Sequence, residues 1–416
     1  MRTMKDSGLS WVGEIPSDWV PHPVYYYFGE RKNKNIFGQE DNLLSLSYGR
    51  IIRRDINTNG GLLPESFNTY NIVEAGDIII RPTDLQNDKK SLRTGLCLER
   101  GIITSAYIAL RPIRRLNSGF FRYLLHVYDI SKVFYNMGNG VRQGLNFSEF
   151  SRLMVFEPPI EIQDKITQYL DTATAEVDEI ISDIQTQIDT LEQYKRSVIT
   201  ETVTKGLNPN AEMKDSGVFY MAPMNASWRL TKIGYICTKL SRSFVSEDTA
   251  LICSNKGKVQ IRADDLTGIM VSDDNAMQGI RAGDIAIHGM DTWHGAIALS
   301  EFDGKITRVV HVCDSTEDKR FIVYYMQHLA FQGVYKLISN GVRGNTSDFR
   351  SWDKVRDIWI AIPETKEEQA AICDYLDSQC TAVEEVIATK KEQLEVLGEY
   401  KKSLIFEYVT GKKEVI

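Results

Sequence analysis

Asp84 and Asp88 lie four residues apart beside Lys89 and Lys90, and two carboxylates with a lysine are groups that can hold a divalent cation against a phosphodiester. The corresponding stretch further along the chain supplies Asp291 with no matching lysine, so a solvated or DNA-contacting loop is the better reading than a metal-dependent nuclease. The same segment, residues 81–93, is dense in side chains that read base edges (Arg81, Gln86, Asn87) or hold phosphate (Lys89, Lys90, Arg93). Its counterpart, residues 288–294, offers His288, Thr292, Trp293 and His294. The two loops share a position, just after an Ala-Gly-Asp string, but not a chemistry. Two readers of different base sequences require that, because each base pair presents its own donor and acceptor pattern in the major groove. Two further strings, Asn139-Gly140-Val141-Arg142-Gln143 and Asn340-Gly341-Val342-Arg343-Gly344-Asn345, are turn signals that carry Arg142, Gln143, Arg343 and Asn345 as candidate contacts.

Other chemistry is missing from the sequence. No GxxxxGK[ST] phosphate loop occurs, and Lys258 is followed by Val259. No glycine-rich nucleotide fingerprint follows a strand. Glu157-Pro158-Pro159-Ile160 lacks the Asn or Asp and the aromatic residue that an adenine-amino methyltransferase places around its Pro-Pro. The chain is therefore expected to carry no catalytic site, cofactor or metal of its own.

The elements that must position these loops come in two copies. Met4-Lys5-Asp6-Ser7-Gly8 returns as Met213-Lys214-Asp215-Ser216-Gly217, Trp19 as Trp228, and Ala75-Gly76-Asp77 as Ala282-Gly283-Asp284. From Gln163 onward the match holds a constant offset of 206, as in Tyr169-Leu170-Asp171 with Tyr375-Leu376-Asp377. Within each copy the first part reads as mixed α/β. Residues 78–80, 102–103 and 107–110 are short strands bounded by Gly and Pro, and residues 120–133 have helical spacing. The repeated tryptophans and Lys-Asp-Ser-Gly strings read as packing and turn elements, and Tyr25-Tyr26-Tyr27 as core filling in preference to base stacking.

The second part of each copy is a long helix. Leu170, Val177, Ile184, Leu191 and Val198 keep a seven-residue period, with Ile181 and Ile188 between them. Leu376, Val383, Ile387, Leu394, Leu397 and Leu404 form the second seam, broken at Lys390. Two such helices in one chain most simply pair antiparallel. The predicted architecture is α/β (α+β), with two globular domains separated by two long antiparallel coiled-coil helices in an internal pseudo-two-fold repeat. The segments are 1–160, 161–206, 207–362 and 363–416.

The net charge of −7 conceals a division. Residues 1–160 carry +4, 161–212 carry −7, 213–362 carry +1 and 363–416 carry −5. The acid lies in the helices, leaving the other segments able to present basic faces to phosphate. The six cysteines are scattered without metal-ligand spacing, and no run approaches the length of a membrane helix. A cytoplasmic protein with reduced thiols and no membrane partner is expected.

These residues resemble one family. Met4-Lys5-Asp6-Ser7-Gly8 with Trp11, Gly13, Glu14-Ile15-Pro16 and Trp19, then Gly76-Asp77, then Pro158-Pro159-Ile160-Glu161-Ile162-Gln163 and the helix to Leu170-Asp171, all duplicated, are similar to the specificity subunit (HsdS) of Type I restriction-modification systems. The second copy departs from the pattern in detail, with Phe219-Tyr220-Met221-Ala222-Pro223 in place of the Trp-Gly-Glu-Ile-Pro string. The resemblance implies two target-recognition domains, each reading half of a bipartite double-stranded DNA sequence. It implies helices that fix the spacer and dock two modification subunits, with two restriction subunits joining. Methylation from S-adenosylmethionine and Mg- and ATP-dependent cleavage are implied for those partners. The rival readings are a coiled-coil scaffold without nucleic acid and the stand-alone nuclease.

Overall fold

The computed structural model describes residues 2–57, 66–85, 92–133, 135, 137, 144–262, 274–339 and 349–415. It divides into two compact units, residues 1–184 with 392–416, and residues 185–391. Each unit takes one globular copy and half of each long helix.

In the first unit a four-stranded antiparallel sheet has the order Phe28–Glu30, Ile108–Pro112, Ile78–Ile80, Thr94–Leu96. In the second the order is Cys237–Lys239, Val310–Ser315, Ile285–His288, Ile297–Leu299. Topology thus repeats where sequence does not. Ile78, Ile79 and Ile80 are all buried, as are Ile285, Ala286 and Ile287, because both faces of these central strands are covered. One helix packs on each sheet: α1 (Ser118–Ile130) and α3 (Lys319–Phe331). Asn117 caps the first by accepting from Phe120 N–H, and Asp318 caps the second by accepting from Arg320 N–H.

The long helices are α2 (Ile160–Lys205) and α4 (Lys366–Val409). At 1.5 Å per residue they run about 70 and 66 Å. Each is joined to the globular copy before it by residues that the repeat had marked. Gln163 is fully buried; its Oε1 accepts Asn117 N–H (2.9 Å) and its Nε2 donates to Pro158 O (2.8 Å). Gln369 does the same with Asp318 N–H (2.9 Å) and Pro363 O (3.1 Å). Asp171 accepts from Tyr123 Oη, and Asp377 from Tyr324 Oη.

Within each unit the two helix segments run antiparallel. In the first, Tyr169 meets Tyr408 (4.4 Å between ring centroids), Asp178 pairs with Lys401, and Leu170 and Leu404 share the core. In the second, Gln187 accepts from Lys390 and Glu384 pairs with Lys195, while Ile199 and Val203 lie with Ile372 and Leu376. The break at Lys390 is therefore a polar contact across the seam. Every residue of the expected seams is buried or half-buried: Leu170, Val177, Ile188, Leu376, Val383, Ile387 and Leu404 fully, and Ile181, Ile184, Leu191, Val198, Leu394 and Leu397 in part.

Both long helices end in a glycine with left-handed backbone, Gly206 (φ +83°) and Gly411 (φ +70°), as helix C-termini favour. A Cβ at Gly206 would lie 3.2 Å from the Trp228 ring, and one at Gly411 would collide with Pro16 and Trp19. Trp19 and Trp228 are buried, as packing elements. Asp6 and Asp215 each accept the N–H two residues on, at Gly8 and Gly217, which makes the Lys-Asp-Ser-Gly strings turns.

Burial pushes the His328 imidazole down to about 4, with Nδ1 3.1 Å from the Thr200 hydroxyl on α2. The folded chain therefore holds the neutral form, and the associated stability is full above 6.5 and falls as pH drops from there toward 4. The size is about 3 kcal/mol at most. The melting temperature of the intact chain should fall more steeply over that window than that of His328→Gln; parallel pH profiles would refute the assignment.

Candidate nucleic-acid interface

The Ala-Gly-Asp strings that precede both loops are structural. Asp77 and Asp284 are buried, each accepts a backbone N–H three residues back (Glu74, Arg281), and each faces an arginine, Arg31 or Arg242. Gly76 and Gly283 supply the positive φ the turn needs. A strand follows each turn, and the loop leaves from that strand's end.

In the first copy the loop is pinned from below. Arg93 is fully buried, which removes it from the set of direct DNA contacts. Its Nη1 donates to Thr83 O (2.5 Å), its Nη2 to Asp84 O (2.9 Å) and its Nε to Tyr135 Oη (2.9 Å). Tyr135 Oη in turn donates to Asp129 Oδ1 (3.1 Å) near the end of α1. Burial pushes the Asp129 carboxyl up and the Tyr135 hydroxyl up to about 12. Asp84 stands at φ +61°, a left-handed backbone that the two carbonyl contacts hold in place. Arg93 is a positioning residue that shapes the base of the loop. Arg81 is half-buried at the loop's start. Gln86, Asn87, Lys89 and Lys90 lie outside the described residues, as do Arg142, Gln143, Arg343 and Asn345.

In the second copy a 3-10 turn, Thr292–His294, presents the loop. Thr292 is buried and so does not face a ligand. His288 is half-buried; burial lowers its pKa, and Nδ1 accepts from Asp291 N–H (3.1 Å), which leaves the Nε2 side as donor in the neutral ring. Trp293 is half-buried with Lys336 Nζ 5.8 Å from its ring, and His294 is exposed. Gly289 sits where a Cβ would be about 3 Å from the backbone of Phe349, Arg350 and Val309. This close approach brings Arg350 beside the loop, its Nη2 2.7 Å from Met290 Sδ. Exposed Lys336 and Arg350 thus join His294 at this face. The sequence reading missed both, since nothing local marks them as neighbours of residue 290.

Among the described residues no three His, Cys, Asp or Glu side chains gather as a metal site would require. The six cysteines are buried free thiols. No described helix is long and apolar enough to cross a membrane.

No family model and no curated protein matches the chain. Solved structures do. One, from work on complex assembly and conformational transition of the type I R-M system, superposes with a TM-score of 0.65 at 15% identity, covering 95% of this chain and 98% of that one. The fold is shared. The HsdS subunit from Thermoanaerobacter tengcongensis (TM-score 0.45, 14% identity, 96% and 98% covered) and the Type-I restriction-modification system S subunit from M. genitalium (0.40, 13%, 94% and 96%) also align.

Proposed function

We propose that this chain is the DNA-specificity subunit of a Type I restriction-modification complex. One observation carries the reading: the chain holds two copies of one sheet-and-helix unit, each presenting at the same sheet end a loop of different chemistry, on a fold shared along 95% of its length with a type I R-M chain. Each globular copy reads one half of a bipartite duplex target. The paired helices set the unread spacer and dock two modification subunits, and two restriction subunits complete the assembly in the cytoplasm. Methyl transfer from S-adenosylmethionine and Mg- and ATP-dependent cleavage belong to those partners. The helices' net acidity suits a protein-facing role, since phosphate repels it.

Replacing residues 213–362 with the equivalent part of a relative should change one half-site and leave the other intact. Mapping methylated adenines in DNA from cells that carry the hybrid subunit and its partners tests this. Change in both halves, or loss of neither, would contradict independent reading.

A further inference from the structure

In each unit a β-hairpin reaches from the globular copy toward the helix pair. In the first it is Leu44–Ser47 with Arg50–Arg53, and in the second Leu251–Ser254 with Lys258–Ile261. The hairpins are not packed flush. A cavity of about 670 Å³, lined by Gly49, Tyr123, Ala175 and Ile405 among others, lies beside the first. One of about 390 Å³, lined by Gly257, Phe331, Arg196 and Ala388 among others, lies beside the second. Charge spans each gap. Arg50 Nη2 donates to Asp178 Oδ2 (2.6 Å), and Lys401 Nζ reaches Asp178 Oδ1 (2.5 Å). Lys258 Nζ donates to Glu384 Oε2 (2.7 Å), and Lys195 Nζ reaches Glu384 Oε1 (2.5 Å). In the second unit a long hydrogen bond from Gln327 to Gly257 O (3.5 Å) adds little.

The two clusters are one device in duplicate. The offset of 206 that relates the helices carries Asp178 onto Glu384 and Lys195 onto Lys401. Each carboxylate stands on the long helix that follows its own globular copy. Each lysine stands on the other long helix.

We propose that these six residues are positioning residues that make the placement of each hairpin conditional on correct pairing of the helices. A lysine holds the far side of the carboxylate only when the antiparallel register is right, and only then is the carboxylate fixed for the hairpin's cation. Isolated exposed ion pairs contribute little, but a shared carboxylate with two cations orients all three groups. Burial pushes the Glu384 carboxyl up, and the hydrogen bonds from Lys195 and Lys258 outweigh this and hold it below its ordinary range.

Amide hydrogen exchange on the intact chain tests this without reference to DNA. Lys195→Glu should speed exchange across residues 251–261 by roughly fivefold or more and leave residues 44–53 unchanged. Lys401→Glu should do the reverse. The triple exchange Lys195→Glu, Glu384→Lys, Lys258→Glu rebuilds the same geometry with opposite signs and should restore protection. Unchanged exchange in the single variants, loosening of both hairpins by either one, or failure of the triple variant to recover would each overturn the proposal.

Discussion

Arg93→Ala should destabilise the first unit by about 3 kcal/mol, the scale for removing one partner from a buried charged network. The loss has three parts: the carbonyls of Thr83 and Asp84 lose their donors, Tyr135 loses Nε, and the buried Asp129 carboxyl loses one of the two cations beside it, with Lys132 remaining. Arg93→Lys should recover little, because a single ammonium cannot serve two carbonyls and a phenol arranged around a planar fork. Urea unfolding of the intact chain measures this. A side chain that only held phosphate would behave oppositely, with stability unchanged and the salt slope of DNA binding reduced by about one unit. That outcome would return Arg93 to the contact surface.

Arg93 also shows what a sequence can and cannot disclose. An arginine at the end of a run containing Asp88, Lys89 and Lys90 looks solvated, since neighbours in sequence are all it can be judged by. The signal that could have placed it is Asp129, a lone carboxylate among Leu124, Leu125, Val127 and Tyr128 on a helix otherwise apolar there. The long helices were legible because a seven-residue period is a property of the segment alone. The duplication was legible because identical strings need no folding to be seen. Their tasks were not: Gln163 and Gln369, marked only as the start of a constant offset, proved to be the buried joints between helix and domain. Thr292 failed as a contact for the same reason as Arg93, because which side of a one-turn helix faces the core depends on the sheet beneath it.

Lengthening both long helices by four residues, at 184/185 and at 391/392, should increase the preferred spacer between half-sites by one or two base pairs. Four residues add about 6 Å in nearly one turn, and a duplex advances about 3.4 Å per base pair. A four-residue insertion is also one that a coiled coil absorbs by slight unwinding. The site of insertion matters. Near Thr204 the helix is already committed to the second unit, with Val203 fully buried and Asn225 Nδ2 donating to Lys205 O, so extra residues there would break the helix end without adding length. The positions chosen are the unit boundaries, one on each long helix. Methylation of a library with randomised spacers, by the lengthened chain and its modification partners, gives the answer. Full activity at the original spacer alone would show that the helices do not measure the distance.

Gly206 and Gly411 give the order of the chain a different meaning. The helix that leaves the first globular copy terminates under Trp228 of the second, and the helix that leaves the second terminates under Trp19 and Pro16 of the first. Each copy thus receives the end of the other's helix through the same glycine-against-tryptophan seat. In these two seats the succession of elements is cyclic. Exchanging which copy is translated first would leave both of these seats filled.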